Sequence, residues 1–386
     1  MIDRAALYLA TPEDLTAALA PVAGRPLAFR VIAAAVRAGV GRVAVPARLR
    51  ATALGAAVDA SPRARAAVVW LEPGARPEPG PLLLLPAAAL APPAALAALL
   101  AAGPGAVLEA STHDGAPVLV ADAALAGALA PALAVGAPLG DDLDRALKSR
   151  ETHPVAEGWC VQARDAGGAA DAEARLYAGL GSPIDTRLDV VLHRRLSRHV
   201  TRAAVRLGVT PNTVSVASFL VGLAAVWGFW RASPASALAG LALYVAAVVL
   251  DHADGEVARL TLTESRLGEW LDVIADNLVH ALIVLAMGVT SQAAAGGGVW
   301  LGVLGAVGIL GSAAVAKWWP DRGAAGAGGA LVDMGSRDGF YAMLVLFIAA
   351  RALLPAALPW LMVLVALGAN AYWVTRFAWI LLRRRT

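Results

Sequence analysis

Charged residues and cysteine are both scarce in this sequence. Only 16% of its 386 residues are Asp, Glu, Lys or Arg, whereas an average soluble domain carries about 25%. Cys160 is the single cysteine, so an intrachain disulfide is excluded and a structural thiol is predicted. The N-terminus lacks the charged-then-apolar layout of a signal peptide, and we therefore expect the first domain to remain in the cytosol.

The formal net charge is only +3, and the placement of the basic residues argues against a nucleic-acid partner. Lys and Arg stand at the ends of apolar segments and not on one face with interleaved aromatic residues. They are concentrated on one side of those segments, which predicts that this side faces the cytosol together with both termini. The expected location is the plasma membrane of a prokaryote.

The spacing of apolar runs divides the chain into two regions. Up to residue 180, strand-like segments such as 42–46 and 82–86 alternate with helical ones such as 27–38, which predicts a soluble α/β domain. From residue 212, apolar runs recur that are each long enough to cross a hydrocarbon core of ~30 Å. The six predicted spans are about 213–230, 235–257, 267–290, 299–317, 338–354 and 358–381. The predicted fold class is thus multidomain, with the α/β domain followed by an all-α membrane bundle in 212–386.

A basic amphipathic segment, residues 181–211, connects the two regions. Its apolar residues recur at helical spacing among Arg and His: Leu188, Val191, Leu192, Leu196 and Val200. A helix of this composition is expected to lie in the headgroup layer of a membrane. A solvated connector is the alternative.

Four aspartates lie near the ends of the second and third predicted spans. Asp251 and Asp254 are three residues apart, while Asp272 and Asp276 are four apart, so each pair shares one face of a helix. An ionised side chain in hydrocarbon costs roughly 2.5 kcal/mol or more, so a compensating cation is expected. Carboxylate oxygens favour Mg²⁺ or Mn²⁺, and one or two ions are predicted.

Small residues and an arginine accompany the aspartates. Gly255, Ala258 and Arg259 follow on one helix face, and Gly268 precedes Asp272 by one turn. The small residues leave room for a flat ligand, and a metal beside an arginine indicates phosphoryl transfer, with one carboxylate free to act as general base. Cytosolic loop residues or the ion pathway of a cation transporter are the alternatives, but a transporter does not explain these small residues.

The pattern Asp-x2-Asp-Gly-x2-Ala-Arg-x8-Gly-x3-Asp-x3-Asp resembles the signature of the CDP-alcohol phosphotransferases. It is complete from Asp251 to Asp276, and Thr210-Pro211-Asn212 is similar to the family's entry into the first span. The resemblance covers about 185–381. It implies a six-helix membrane enzyme, usually a homodimer, whose site opens to the cytosol.

The resemblance also implies a role for each signature residue. Asp251, Asp254 and Asp272 would bind one or two divalent ions, and Asp276 would complete the metal site or act as base on the acceptor hydroxyl. The residues expected to contact the cytidine and the phosphates are Asp254, Gly255, Ala258, Arg259 and Gly268.

The implied reaction is attack of an acceptor hydroxyl on the β-phosphorus of a CDP-alcohol. It forms a phosphodiester and releases CMP, in the synthesis of phospholipids or of inositol phosphodiesters. A CDP-diacylglycerol-dependent phospholipid synthase is the alternative within the same class.

Basic and histidine residues at positions that the signature does not fix have two alternative assignments each. Arg337 and Lys317 are predicted either to bind a phosphate or anionic acceptor, or to anchor their spans at the cytosolic interface. His252 is predicted to line the pocket, with a catalytic role as the alternative. His280 is predicted to have a packing role, with donation to a carboxylate one turn away as the alternative.

Residues 1–180 loosely resemble a Rossmann-like nucleotidyltransferase, as in fusions of inositol-phosphate cytidylyltransferase with di-inositol-phosphate-phosphate synthase. The similarity rests on Gly24-Arg-Pro-Leu-Ala-Phe-Arg-Val-Ile and Gly41-Arg-Val-Ala-Val-Pro. The family's glycine-rich phosphate loop is replaced by Ala10-Thr-Pro-Glu-Asp-Leu-Thr, and its metal-binding Asp by Pro86-Ala-Ala-Ala-Leu. We expect a catalytically silent domain, and a bifunctional enzyme with an active cytidylyltransferase is the alternative.

Overall fold

The computed structural model describes residues 2–75, 78–110, 115–155, 158–181, 185–231, 233–318 and 337–383. The chain forms two compact units. The front unit comprises Met1–Leu180 together with Ala258–Thr263, and the helical unit comprises Gly181–Val257 together with Glu264–Thr386.

The front unit is built from short strands and helices. Its strands are β1 Arg4–Tyr8, β2 Pro21–Val22, β3 Arg25–Pro26, β4 Arg42–Pro46, β5 Val68–Leu71, β6 Leu82–Pro86, β7 Ala89–Leu90, β8 Ala106–Leu108, β9 Val118–Ala121, β10 His153–Pro154 and β11 Val161–Gln162. Its helices are α1 Asp14–Leu19, α2 Leu27–Arg37, α3 Ala53–Asp59, α4 Pro62–Ala67, α5 Pro93–Ala102, α6 Ala123–Val135, α7 Gly140–Lys148 and α8 Ala166–Ala178, with a 3₁₀ turn at Ala47–Leu49.

The main sheet has the strand order β10-β8-β9-β6-β1-β4-β5 within the described residues. Strands β6, β1, β4 and β5 are parallel, whereas β9 runs antiparallel to both β6 and β8. Along β1, Ala5 and Leu7 face one core cluster with α2 to α5, while Ala6 and Tyr8 face the other with α6 and α7. Because both faces of the sheet are covered, its central strands are apolar apart from Arg4 and Arg42 at the starts of β1 and β4. The predicted α/β class is confirmed as a mixed sheet, and the Rossmann-like nucleotidyltransferase fold stays a prediction.

Two side chains of the front unit hold the segment Ala258–Thr263 through its backbone carbonyls. The buried guanidinium of Arg30 donates to the carbonyl oxygens of Val22, Ala23 and Leu260. Ser61 donates its hydroxyl to the carbonyl of Leu262 over 2.6 Å. Burial lowers the pKa of Arg30 to about 9, and the surrounding carbonyls supply the acceptors that a buried guanidinium needs.

The helical unit consists of long helices. They are α9 Arg194–Arg206, α10 Pro211–Trp230, α11 Pro234–Thr261, α12 Arg266–Ala295, α13 Val299–Trp318, α14 Arg337–Leu353 and α15 Leu358–Arg383, with a π-turn at Asp189–His193 and a 3₁₀ turn at Pro355–Ala357. The last residues of α11 lie in the segment that belongs to the front unit.

Within the described residues, five helical segments are long and apolar enough to cross a membrane. They are Pro211–Trp230, Pro234–Thr261, Arg266–Ala295, Val299–Trp318 and Pro355–Thr375. The remaining predicted span corresponds to α14, which has 17 residues, so the expected count of six is not confirmed. These apolar helices indicate an integral membrane protein.

Glycines allow the long helices to approach one another closely. A Cβ atom on Gly228 of α10 would lie 2.6 Å from the Cα of Gly240 on α11. A Cβ on Gly288 of α12 would lie 2.7 Å from the Cα of Gly302 on α13. In a membrane, such backbone proximity provides the dispersion contacts that hold helices together. The packing thereby fixes α11 and α12, which carry the four aspartates.

The segment before α10 is helical over Asp189–Arg206, and one row of its polar side chains faces the interior. Asp189, His193, Ser197 and Thr201 are buried, whereas Val190 and Val191 are 60% and 59% exposed. Several basic side chains of the segment are exposed as well. The exposed valines are expected of a helix whose apolar residues meet lipid. The position of the helix in the headgroup layer stays a prediction.

A buried carboxylate on α11 explains the polar inner face of α9. Glu256 is fully buried and accepts hydrogen bonds from Arg194 at 2.9 Å, Ser197 at 2.8 Å and Thr201 at 2.6 Å. Arg194 also pairs with Asp185 at 2.7 Å. Burial alone would lower the pKa of Arg194, but the two carboxylates outweigh it and raise the pKa. The network ties α9 to the helix that carries the first aspartate pair.

Candidate functional site

Three of the four predicted aspartates converge. Carboxylate oxygens of Asp251 and Asp254 on α11 and of Asp272 on α12 all lie within 4.8 Å of one another. Asp254 is buried, and the side chain of Asp251 is only 18% exposed. Three oxygen donors at this separation, from two adjacent helices, fit a hard divalent cation, although the geometry does not select a particular ion.

The aspartates open onto a narrow cleft of about 30 Å³ between α10, α11 and α12. All four line it, and the remaining wall is mainly apolar. The lining residues include Phe219, Gly222, Tyr244, Ala247, Val248, Ala275 and Val279. Water is thus restricted near the carboxylates, which strengthens their interaction with any bound cation.

Asp276 lies in the same cleft but not among the three converging carboxylates. Its side chain is 31% exposed, and one oxygen is 3.4 Å from Nδ1 of His280. His280 is itself fixed, since its Nδ1 is 2.8 Å from the backbone carbonyl of Asp276 and its Nε2 is 2.6 Å from the Tyr244 hydroxyl. Asp276 is therefore more accessible than Asp251, on a locally ordered stretch of α12.

Ser215 on α10 is a site residue that the sequence analysis missed. Its hydroxyl donates to Oδ2 of Asp254, and Ser218, one turn later, donates to the carbonyl of Ala247 over 2.8 Å. Both serines line the cleft. Their i, i+3 spacing in an otherwise apolar span was the available signal. Ser215 holds the Asp254 carboxylate in one orientation.

Arg337, at the start of α14, lies beside the carboxylates. Its guanidinium is 3.1 Å from Oδ2 of Asp251 and 3.5 Å from the buried carboxylate of Asp189. Lys317, by contrast, pairs with the exposed Glu269 and lies over the Trp270 ring at 4.9 Å. Of the two predicted basic residues, the structure brings Arg337 to the aspartates and places Lys317 on an exposed ion pair.

The small residues and the arginine of the signature lie on the same two helices as the aspartates. Gly255 follows Asp254 on α11, while Ala258 and Arg259 belong to the front unit, where Arg259 donates to the carbonyl of Leu180 over 3.0 Å. At Gly268, a Cβ atom would lie 3.2 Å from the hydroxyl of Ser265, which caps α12. Their contact with a nucleotide stays a prediction.

Comparison with known proteins identifies the family that the helical region resembles. Residues 208–368 match the family described as CDP-alcohol phosphatidyltransferase. This stretch covers the site aspartates on α11 and α12, the serines of α10 and Arg337.

Individual relatives match over short segments. The chain is 36% identical over 111 residues to a CDP-diacylglycerol–serine O-phosphatidyltransferase of Mycobacterium leprae, over 28% of this chain and 35% of that protein. It is 40% identical over 88 residues to a bifunctional IPC transferase and DIPP synthase of Thermococcus kodakarensis, over 23% and 19%. It is 35% identical over 88 residues to an archaetidylinositol phosphate synthase of Pyrococcus horikoshii, over 23% and 45%. The chain thus spans less than half the length of each of these relatives.

Proposed function

We propose that this chain, in which residues 208–368 form a CDP-alcohol phosphatidyltransferase domain, transfers a phosphoryl-alcohol group from a CDP-alcohol to an acceptor hydroxyl. The observation that carries the proposal is the convergence of Asp251, Asp254 and Asp272 within 4.8 Å at a cleft. The acceptor oxygen forms a bond to the β-phosphorus, the bond to the CMP oxygen breaks, and CMP leaves. The product is a phosphodiester of phospholipid or inositol-phosphodiester synthesis.

The three converging aspartates are the residues that would hold Mg²⁺ or Mn²⁺, as one or two ions. A divalent ion bound there would neutralise part of the negative charge on the diphosphate of the CDP-alcohol. The protein contributes the rigidity of the site. Ser215 orients Asp254 through its hydroxyl, and Arg337 contacts Asp251 at 3.1 Å. Such support from outside the ligand set keeps the carboxylate oxygens in position.

Asp276 is the residue we assign as general base. It lines the same cleft, is more exposed than Asp251 and stands apart from the converging trio. A carboxylate free of strong ion pairs can accept the proton of the acceptor hydroxyl as the new bond to phosphorus forms. The contact with His280 limits its rotation, which keeps the carboxylate directed toward the reacting hydroxyl.

The nucleotide is assigned to the small residues of the signature. Gly255 and Gly268 present backbone without a side chain, which lets a cytidine approach closely, and Ala258 and Arg259 extend the same helix face. Arg337 is positioned to contact an oxyanion of donor or acceptor. A homodimer in the plasma membrane, with the site on the cytosolic side, completes the proposal.

A lipid donor is the second candidate. The relative from Mycobacterium leprae is named for CDP-diacylglycerol and serine, and the apolar wall of the cleft suits an acyl-bearing donor. The two candidates share the chemistry at phosphorus and differ in the alcohol that the donor carries.

The proposal is tested by CMP release from the purified chain in lipid nanodiscs. The donors are CDP-diacylglycerol and soluble CDP-alcohols, each paired with serine, inositol, inositol phosphate or glycerol phosphate. We expect one donor–acceptor pair to give CMP in stoichiometric amount with phosphodiester. Absence of CMP from every pair, together with cation flux into protein-loaded liposomes, would instead identify a transporter.

The front unit is proposed to be catalytically silent. Asp14, fully buried after β1, accepts the backbone N–H groups of Ala10 at 2.8 Å and Thr11 at 3.1 Å and pairs with Arg164 at 2.6 Å. In a nucleotide-binding loop, backbone N–H groups at this position face phosphate oxygens. Here an internal carboxylate takes that place, which supports the loss of triphosphate binding.

Full-length chain carrying Asp272→Asn separates the front unit's activity from that of the transferase. We expect no pyrophosphate release when it is given CTP, Mg²⁺ and a panel of sugar and inositol phosphates. A coupled pyrophosphate assay measures this, and an active cytidylyltransferase at matched concentration serves as the positive control. Sustained pyrophosphate formation would show that the chain is bifunctional.

A further inference from the structure

A second cluster of buried polar residues lies in the helical unit, beside the carboxylate site. It consists of Asp189 and His193 on the π-turn before α9, and His252 on α11, which are at most 6% exposed. Oδ1 of Asp189 lies 2.9 Å from Nδ1 of His193 and 3.0 Å from Nε2 of His252. The roles assigned above do not use this cluster.

Every ring nitrogen of the two histidines lies within hydrogen-bond distance of a partner. Nδ1 of His193 and Nε2 of His252 donate to Asp189, and the Tyr341 hydroxyl, 3.0 Å from Nε2 of His193, donates to that nitrogen. Nδ1 of His252 lies 3.1 Å from the carbonyl oxygen of Val248 and 3.3 Å from the Arg337 guanidinium. Asp189 is therefore contacted by both imidazole rings, and one of those rings also contacts Arg337.

The charge of Asp189 is well stabilised. Burial alone would raise its pKa, but the backbone N–H of Thr186 at 2.9 Å, the His193 ring and Arg337 outweigh it and hold the pKa below the usual range. A buried carboxylate that keeps its charge attracts a nearby guanidinium strongly, because little water screens the pair.

Arg337 is the residue that connects the cluster to the site. Its guanidinium lies 3.5 Å from Asp189 on one side and 3.1 Å from Asp251 on the other. The two imidazoles and the carboxylate of the cluster are also side chains of the kinds that bind metal ions. The positively charged guanidinium of Arg337 lies 3.3 Å from His252 and would repel a metal ion there. The observations therefore favour a cluster that positions Arg337 over a cluster that binds a metal ion.

We propose that Asp189 is a positioning residue of the transferase, which with His193 and His252 holds Arg337 at the Asp251 side of the cleft to receive an oxyanion of the substrate. The inference rests on the proposed function. It assigns the π-helical turn Asp189–His193 a role in the site. It also explains why Asp189 is buried in a predominantly basic segment.

A double-mutant cycle in the CMP-release assay tests this coupling. We expect Asp189→Asn to lower kcat/KM about 30-fold, mostly through a higher KM, because the guanidinium is no longer held. Arg337→Met is expected to lower kcat/KM about 100-fold. In the Arg337→Met background, Asp189→Asn should change kcat/KM by no more than about 2-fold, since residues that act through one another are not additive.

Asp185→Asn is the matched control. Asp185 lies in the same connecting segment, is similarly buried and pairs with Arg194 instead of Arg337. Its effect should be the same in both backgrounds. Equal effects of Asp189→Asn in both backgrounds would show a merely structural role and overturn the inference. If Asp189→Asn fails to fold, Tyr341→Phe replaces it, with a smaller loss and the same coupling to Arg337.

Two further measurements do not depend on turnover. Modification of Arg337 by phenylglyoxal, followed by peptide mass spectrometry, should be faster in Asp189→Asn than in wild type and unchanged in Asp185→Asn. An unchanged rate of Arg337 modification in Asp189→Asn would contradict the positioning role of Asp189. This outcome holds even if no substrate pair gave CMP. Metal analysis of the purified protein covers the competing assignment, because stoichiometric zinc or iron that is lost in His193→Ala would make the cluster a metal site.

Discussion

Asp272→Asn is expected to reduce CMP release by at least about 10³-fold while leaving the protein folded. Asp272 is the one member of the converging trio that α12 supplies, so its loss leaves two carboxylates on α11 and opens the cation site. The amide keeps the shape of the side chain but removes its charge, and interactions realised in the transition state are lost with it. Initial rates of CMP release in nanodiscs measure the effect.

Glu269→Gln is the matched control for Asp272→Asn. Glu269 lies on the first turn of α12, its side chain is 62% exposed, and it pairs with Lys317 outside the trio. An exposed ion pair away from the trio contributes little to stability, so activity should stay within about 2-fold of wild type. Retention of full CMP release in Asp272→Asn would exclude the trio as the active site.

Asp276→Asn is expected to abolish turnover but to leave metal affinity nearly intact. Because Asp276 stands apart from the converging oxygens, its neutralisation removes the proposed base without removing a ligand. Loss of a general base lowers kcat by about 10² to 10⁴-fold. Mn²⁺ binding, followed by electron paramagnetic resonance, should weaken by less than about 3-fold.

Asp251→Asn provides the contrast for that measurement, since Asp251 belongs to the trio. It should weaken Mn²⁺ binding by at least about 10-fold together with activity, as expected for the loss of a ligand charge. Equal loss of Mn²⁺ affinity in Asp276→Asn and Asp251→Asn would mean that Asp276 is a metal ligand and that the base lies elsewhere.

The carboxylate site was predictable because helix geometry relates sequence spacing to direction. Residues three or four apart share a helix face, so Asp251 and Asp254 had to point the same way, as did Asp272 and Asp276. A short connection between two helices makes them antiparallel neighbours, which brings the two pairs together. Sequence spacing could not decide whether Asp276 is a metal ligand or a base. The answer depends on whether its carboxylate oxygen joins the other three, and this is set by the rotation of α12 against α11.

The partners of the site came from contacts between distant segments. Arg337 was named from sequence with phosphate binding and anchoring equally open, and the structure brings it to within 3.1 Å of Asp251. Ser215 is 39 residues from the Asp254 carboxylate that it contacts, and Asp189 is separated from Arg337 by a still longer stretch. Such pairs carry no periodic signal, since their proximity depends on how several helices pack.

The helix before α10 shows how the surroundings decide what a pattern means. The sequence predicted both its helical form and the apolar stripe along one side of the helix. One row of its polar residues, from Asp189 to Thr201, turned out to be buried, because Glu256 and Arg337 supply partners inside the bundle. The two stripes have the same helical spacing whichever of them is buried, so only the neighbouring helices determine which stripe faces inward.

By itself, the sequence determined the two-region organisation, the apolar helices and the clustering of acidic residues on two helix faces, because each of these follows from local composition and period. The tertiary structure alone decided which three aspartate oxygens converge. It also decided that the guanidinium of Arg337 lies beside them, next to the buried carboxylate of Asp189. These depend on distances between side chains far apart in the chain, and packing sets those distances.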